Sequence, residues 1–219
     1  MRTLFLILSI LLYHTYNSQN LNVDYIVTKI NKNDTIQVPY TLKIETSYSI
    51  FFPTYKCKSL QNNENDIPKF SSELIYVFVK LFRTYDKIGN ANVYFKPERK
   101  QLSWKITNVN IEENGFKLKK ATLNYNNRKW EALFIEELPI PEGPYFFKGL
   151  PGLIYSLKDV EGNLSFQLKE ISKDKSMCKI DLKNYKEISY QKYISTIKNA
   201  SDIDKNLFEE FAKLGFPKD

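Results

Sequence analysis

Histidine is almost missing from this chain: of 219 residues only His14 is one. It falls in an N-terminal stretch with the build of a signal peptide. Met1-Arg2 supplies a short positive start, and Leu4 to Leu12 an apolar run broken only by Ser9, too short to span a bilayer. With cleavage after Ser18 the mature chain holds no histidine. Ser-His-Asp and Cys-His catalysis, histidine-bound zinc and histidine proton relays then lose their central residue. Cysteine is nearly as scarce: Cys57 and Cys178 are the only two. Without imidazole partners, neither a metal site nor a cofactor is expected. No later apolar run reaches membrane-spanning length, so the mature chain is expected to be soluble. Repeats and linker-like segments are also lacking, and residues 19–219 read as one domain.

What the chain has is lysine and aromatic surface. Basic residues number 32 against 25 acidic, a formal charge of +7 that becomes +6 once Arg2 is removed. The lysines are dispersed, as on a solvated surface. For an exported basic protein the fitting partners are an acidic glycan, lipopolysaccharide or another envelope protein; nucleic acid is not expected. Aromatics make up 15% of the residues, enough for one well-buried core. An oxidising compartment makes Cys57 and Cys178 candidates for a disulfide, whose long loop gives about 4 kcal/mol in the chain-entropy model. Two separate buried thiols are the alternative. No cysteine lies near Ser18, which argues against a lipid anchor and for the periplasm or cell exterior.

Period-two patterning dominates the middle of the chain. Tyr25 to Ile30 reads as a short strand, and Thr41 to Phe52 as a longer one carrying Leu42, Ile44, Tyr48, Ile50 and Phe52 on one face. Glu73 to Thr84 favours a buried strand, with a short helix as alternative. Asn92–Phe95, Gln101–Thr107, Phe116–Tyr125 and Arg128–Glu136 follow as strands, the last two joined at Asn126-Asn127. Gly152–Val160 and Asn163–Ile171 form a hairpin around Glu161-Gly162. Helical spacing begins only near the end: Ile203, Leu207, Phe208, Phe211 and Leu214, with a second helix over Tyr190–Lys198. The expectation is a mainly β fold of antiparallel strands, finished by one or two short C-terminal helices. A two-sheet sandwich is the alternative.

The most distinctive segment is Gly149-Leu150-Pro151-Gly152-Leu153-Ile154. Pro151 and Gly152 have the chemistry of a type II turn, with Gly152 at positive φ, and Leu153 opens a strand. Upstream, Pro139, Pro141 and Pro144 remove three backbone donors, so 138–144 runs extended along a rim or edge. Tyr145-Phe146-Phe147 follows.

This hexamer resembles the hallmark of the GLPGLI family of exported Bacteroidota proteins. Trp104 in Leu-Ser-Trp-Lys-Ile, Gly115 to Ala121, Arg128-Lys-Trp-Glu-Ala132 and Asp159 extend the resemblance over 94–171, and the Ser18-Gln19 cleavage looks similar too. Leu118 stands where the family usually has cysteine, and Leu133 where a second tryptophan is common, so no role of that cysteine carries over. The family is similar to the bowl-like N-terminal domain of a bacterial peptide:N-glycanase, which implies a curled antiparallel sheet, a half-barrel or bowl, with a concave face. The resemblance implies no reaction.

Two functions compete. A non-catalytic binding or accessory module would use Trp104, Trp130, Tyr145, Phe146 and Phe147 to hold a lipid, peptide or glycan. A histidine-free hydrolase would instead pair carboxylates among Glu136, Glu137, Glu142, Asp159 and Glu161. Separately, Asp34-Thr35-Ile36 resembles a short O-glycosylation signal, making Thr35 a candidate acceptor.

Overall fold

Val23, Tyr25 and Val27 alternate with Asp24, Ile26 and Thr28, and the first set is wholly buried. They define β1 (Leu21–Asn31), a strand in the middle of one large sheet. The computed structural model describes residues 20–31, 34–54, 75–78, 82–88, 91–96, 101–125, 127–173 and 182–197. Along the chain follow β2 (Asp34–Ile44), β3 (Ser49–Pro53), β4 (Ile75–Phe78), β5 (Phe82–Ile88) and β6 (Ala91–Phe95). Next come β7 (Lys105–Glu113), β8 (Phe116–Tyr125), β9 (Arg128–Ile135), β10 (Leu153–Asp159), β11 (Leu164–Lys173) and β12 (Lys186–Glu187). One helix, α1 (Tyr190–Ile197), ends the described chain.

The strands run in the order β12-β6-β5-β4-β3-β2-β1-β11-β10-β9-β8-β7. Every pairing is antiparallel except β12 beside β6. The sheet is open, and it curls. β3 and β11 stand three strand spacings apart, about 14 Å in a flat sheet, yet the Phe51 and Phe166 rings meet at 6.4 Å over the concave face. That face carries the main core: Tyr25, Tyr40, Leu42, Phe51, Trp130, Phe134, Leu157 and Phe166 all lie in it.

Local chemistry explains most boundaries. Asn114 (φ 51) and Gly115 (φ 79) make the tight β7–β8 turn, where both central residues need positive φ. Asn127 (φ 57) turns β8 into β9, and Gly162 (φ 78) turns β10 into β11. Ser189 caps α1, its Oγ accepting from Lys192 N at 3.2 Å. Tyr193 of the helix then packs on Phe95 at 4.3 Å. Among the described residues no helix is long and apolar enough to cross a membrane.

Three sequence readings change. The run from Thr41 to Phe52 is a hairpin, not one strand: Glu45 N bonds Tyr48 O, and Leu42 lies opposite Phe51. Phe52 therefore faces outward with Tyr85 rather than inward with Leu42. Alternation persisted through a turn that holds no glycine or proline, which hid it. The stretch around Glu73–Thr84 contributes a second hairpin, β4–β5. The strand predicted over Gln101–Thr107 begins at Lys105 and runs on to Glu113. Helical spacing over Ile203–Leu214, both cysteines, His14 and the cleavage site lie outside the described residues.

Candidate functional site: the strap and the aromatic core

Residues 138–152 form a strap over the concave face, and proline dictates its path. Ile140 N bonds Leu138 O at 2.7 Å, and Glu142 N bonds Ile140 O at 2.8 Å. These are successive three-residue turns centred on Pro139 and Pro141, where a fixed negative φ suits the inverse γ form. The chain reverses at Pro144–Phe147 (Phe147 N to Pro144 O, 3.1 Å), with Tyr145 at φ 57. A bulky residue at positive φ is strained, at a cost on the order of 1–3 kcal/mol. The returning limb zips back: Gly149 N to Pro141 O, Leu153 N to Leu138 O and Ile154 N to Glu142 O, each at 3.0–3.1 Å.

The glycines of the hexamer have roles different from those expected. Gly149, not Gly152, takes positive φ (92). Gly152 is needed for space, because a Cβ there would sit 2.1 Å from the Ile135 carbonyl oxygen. The strap lies directly on the end of β9, and backbone contact that close tolerates only hydrogen. Gly143 is similarly confined: a Cβ there would sit 2.5 Å from Phe147 O and Ile154 Cδ1.

All five predicted aromatics come together. Phe147 is the hub, with ring centroids 4.6 Å from Trp130, 4.3 Å from Phe146 and 6.3 Å from Trp104. Tyr145 meets Phe146 edge-on at 4.5 Å. Trp130, Tyr145, Phe146 and Phe147 are buried, so the strap fills the bowl with its own rings. Trp104 is half-buried and donates its indole N–H to Lys148 O at 3.1 Å, pinning the strap from outside. The indole N–H of Trp130 is buried with no acceptor.

A polar seam runs along the strap. Ser49 donates to Glu142 Oε2 at 3.0 Å, and Lys148 approaches Glu142 Oε1 at 3.5 Å. Tyr25 donates to Ile154 O at 2.5 Å. Burial, and secondarily the Glu142 charge, push the Tyr25 hydroxyl well above its ordinary pKa.

Each of the five carboxylates is held by its own donor. Glu136 pairs with Lys119 (2.6 Å) and Glu137 with Lys117 (3.5 Å). Glu161 accepts from the Asn163 amide at 3.0 Å. Asp159 is buried, facing Arg128 Nη1 at 3.3 Å and accepting from Asn163 N at 2.7 Å and Leu164 N at 3.4 Å. It ties β9, β10 and the β10–β11 turn together. Thr35 is exposed, opposite Ile30 in the β1–β2 hairpin. Among the described residues no three His, Cys, Asp or Glu side chains cluster as a metal site.

Sequence patterning missed one feature, the surface of β7. All its residues but Thr107 are exposed, including Ile106, Val109 and Ile111. A shift in register between Ile106 and Asn110 breaks its period-two pattern.

Two crystal forms of PNGF-II share this fold, each with a TM-score of 0.61 and 15% identity over 83% of the chain. That agrees with the resemblance to the bowl-like domain of a peptide:N-glycanase. The chain spans only about a third of the length of PNGF-II (34% and 33% in the two forms). A LolA superfamily protein from Nitrosomonas europaea overlaps at a TM-score of 0.35 and 7% identity, covering 74% of this chain and 89% of its own. No protein-family model matches the sequence, and no curated protein matches it.

Proposed function

We propose that this chain is an exported, non-catalytic binding or accessory module of the cell envelope, of the GLPGLI kind. One observation carries the reading: the motif residues are spent on construction, while an apolar strand edge is left bare among the described residues. Trp104, Arg128, Trp130 and Asp159 secure the strap or a strand junction. Tyr145, Phe146 and Phe147 occupy the bowl. Ile106, Val109 and Ile111 remain exposed on β7, directly after half-buried Trp104. A free edge offers backbone N–H and C=O groups, so of the candidate partners it suits a polypeptide strand better than a lipid or glycan. Occurrence of the fold as about a third of PNGF-II suits a module serving a larger assembly.

The test is photocrosslinking in the native host, with the reactive side chain at Val109 and a control at Thr35. Selective capture of an envelope polypeptide from Val109 is expected, from a chain that fractionates outside the cytoplasm. Equal labelling from both positions, or an unprocessed cytoplasmic chain, refutes the proposal.

A further inference from the structure

The outer face of the sheet carries one continuous polar row. It starts on β7 and crosses four strands as Lys105, Thr122, Glu131 and Lys158, each opposite the next. It continues over three more as Ser165, Thr28 and Gln37. Residues directly opposite one another share a face. Their chain neighbours Leu123, Trp130, Leu157, Phe166 and Val27 belong to the core, so the row faces out. Seven strands at sheet spacing make it about 29 Å long. Lys105, Lys158 and Gln37 are exposed and the other four half-buried, and no aromatic or large apolar side chain interrupts them.

The two halves of the row differ in chemistry. Lysines from four strands gather around Glu131. Lys105 and Lys158 stand in the row; Lys120 and Lys129, two residues from Thr122 and Glu131, flank it on the same face. Dispersed in sequence, these lysines are brought together by the strand register. Lys120 bonds Glu131 at 2.9 Å and, with Lys158 and Lys129 near, holds its carboxyl below the ordinary range. Lys105, Lys129 and Lys158 are in no ion pair among the described residues. Four lysines against one glutamate leave this half strongly positive. The other half is neutral: Ser165, Thr28 and Gln37 offer hydroxyl and amide groups, with Gln37 Nε2 donating to Thr28 Oγ1 at 3.4 Å.

We propose that this row binds an extended acidic polysaccharide laid across the strands. Its carboxylate or sulfate groups lie over the lysines, and its hydroxyls over Ser165, Thr28 and Gln37. Lysine ammonium groups are compact point charges that attract anions without imposing one geometry. The neutral half rewards a ligand that carries hydroxyls as well as charge. A bilayer fits poorly, because a curved outer face meets a flat surface only along a line and the row has no apolar side chain to insert. Nucleic acid fits poorly too, since the row offers no ring on which a base could stack. The surface is separate from the backbone edge of β7, and its ligand is independent of what that edge pairs with.

The experiment is calorimetric titration of the mature chain at low salt with polygalacturonate, a sulfated galactan and a neutral galactan. Binding to at least one acidic polymer and not to the neutral one is expected, weakening as salt is added. Lys158→Glu should weaken it by about tenfold. Lys186→Glu, an equal change of charge on exposed β12 at the opposite edge, should leave it unchanged. Glu131→Gln removes the one carboxylate of the row and should tighten binding by about threefold, a gain that no folding defect produces. The proposal is overturned if neither acidic polymer binds, if the two lysine variants lose affinity equally, or if Glu131→Gln fails to tighten binding. Tighter binding to phosphatidylglycerol vesicles than to either polymer also overturns it, and makes the lysines a lipid-headgroup surface.

Discussion

Gly152 and Gly162 show how differently two glycines fail when a methyl group is added. At Gly162 (φ 78) nothing lies within 4 Å of a new Cβ, so only backbone strain is felt. Gly162→Ala should cost about 1 kcal/mol in urea unfolding. At Gly152 the Ile135 carbonyl lies 2.1 Å from the new atom, and backbone does not give way cheaply. Gly152→Ala should cost about 3 kcal/mol; equal losses at the two sites would show the strap to be loosely seated. Tyr25 makes a prediction about pH. Its folded pKa is raised, so the neutral phenol favours the folded state; that stability is present below the unfolded value of about 10 and lost as pH rises toward the folded one. Tyr25→Phe leaves Ile154 O without its donor and should destabilise by about 1–2 kcal/mol at neutral pH. The gap to wild type should narrow above about pH 10 in unfolding titrations; a gap constant with pH would refute the assignment. A bend leading into a strand at 150–153 was legible in the sequence, but the type II turn expected there does not form, since Leu153 N bonds Leu138 O and Gly152 has no positive φ. Which glycine needed space and which needed positive φ was not legible, because that depends on how closely β9 passes.

Among the elements, the strap depends most on side chains to hold it. Its backbone bonds are internal or reach only the end of β9 and the start of β10, so Trp104 and Ser49 supply its side-chain ties to the sheet and its flank. Trp104→Phe keeps an aromatic ring but removes the bond to Lys148 O. Hydrogen exchange at Phe147 N and Gly149 N should quicken by about fivefold to tenfold, as a bond worth about 1 kcal/mol implies, with Tyr25 and Val27 in β1 unchanged. Uniform quickening would mean global destabilisation instead. β8 to β11 were legible because their alternation ends at Asn and Gly turns. The β2–β3 turn was not, because Glu45 to Tyr48 has no such residue and the alternation runs through it. β7 escaped for the converse reason: its bulge destroys the alternation that would have marked it. The five aromatics do meet in one cluster, and the burial of Tyr145, Phe146 and Phe147 follows from the strap reversal at Tyr145, which no local pattern announces.

Across the whole molecule, the decisive pairing is β1 with β11, in which Leu21 meets Lys173. Asp159 braces the neighbouring corner. Asp159→Ala would leave Arg128 with its charge partner removed beside a buried site and should cost about 3–5 kcal/mol by thermal or urea unfolding. A neutral result would place the Arg128 charge effectively in water. Sheet class was legible from strand patterning, and the curl only through the resemblance to the glycanase domain; the order of strands was not, since no short-range signal joins residue 21 to residue 173. That order has a temporal consequence. Among the described strands β1 is the first made, yet half its hydrogen-bonding partners arrive only with β11, some 120 residues after β2 is finished, by the spacing of Ile44 and Leu164. Pairings that span so much chain form late and slowly. A chain still being made therefore cannot join the two halves of its sheet until β11 has appeared, although the hairpins within each half can already pair.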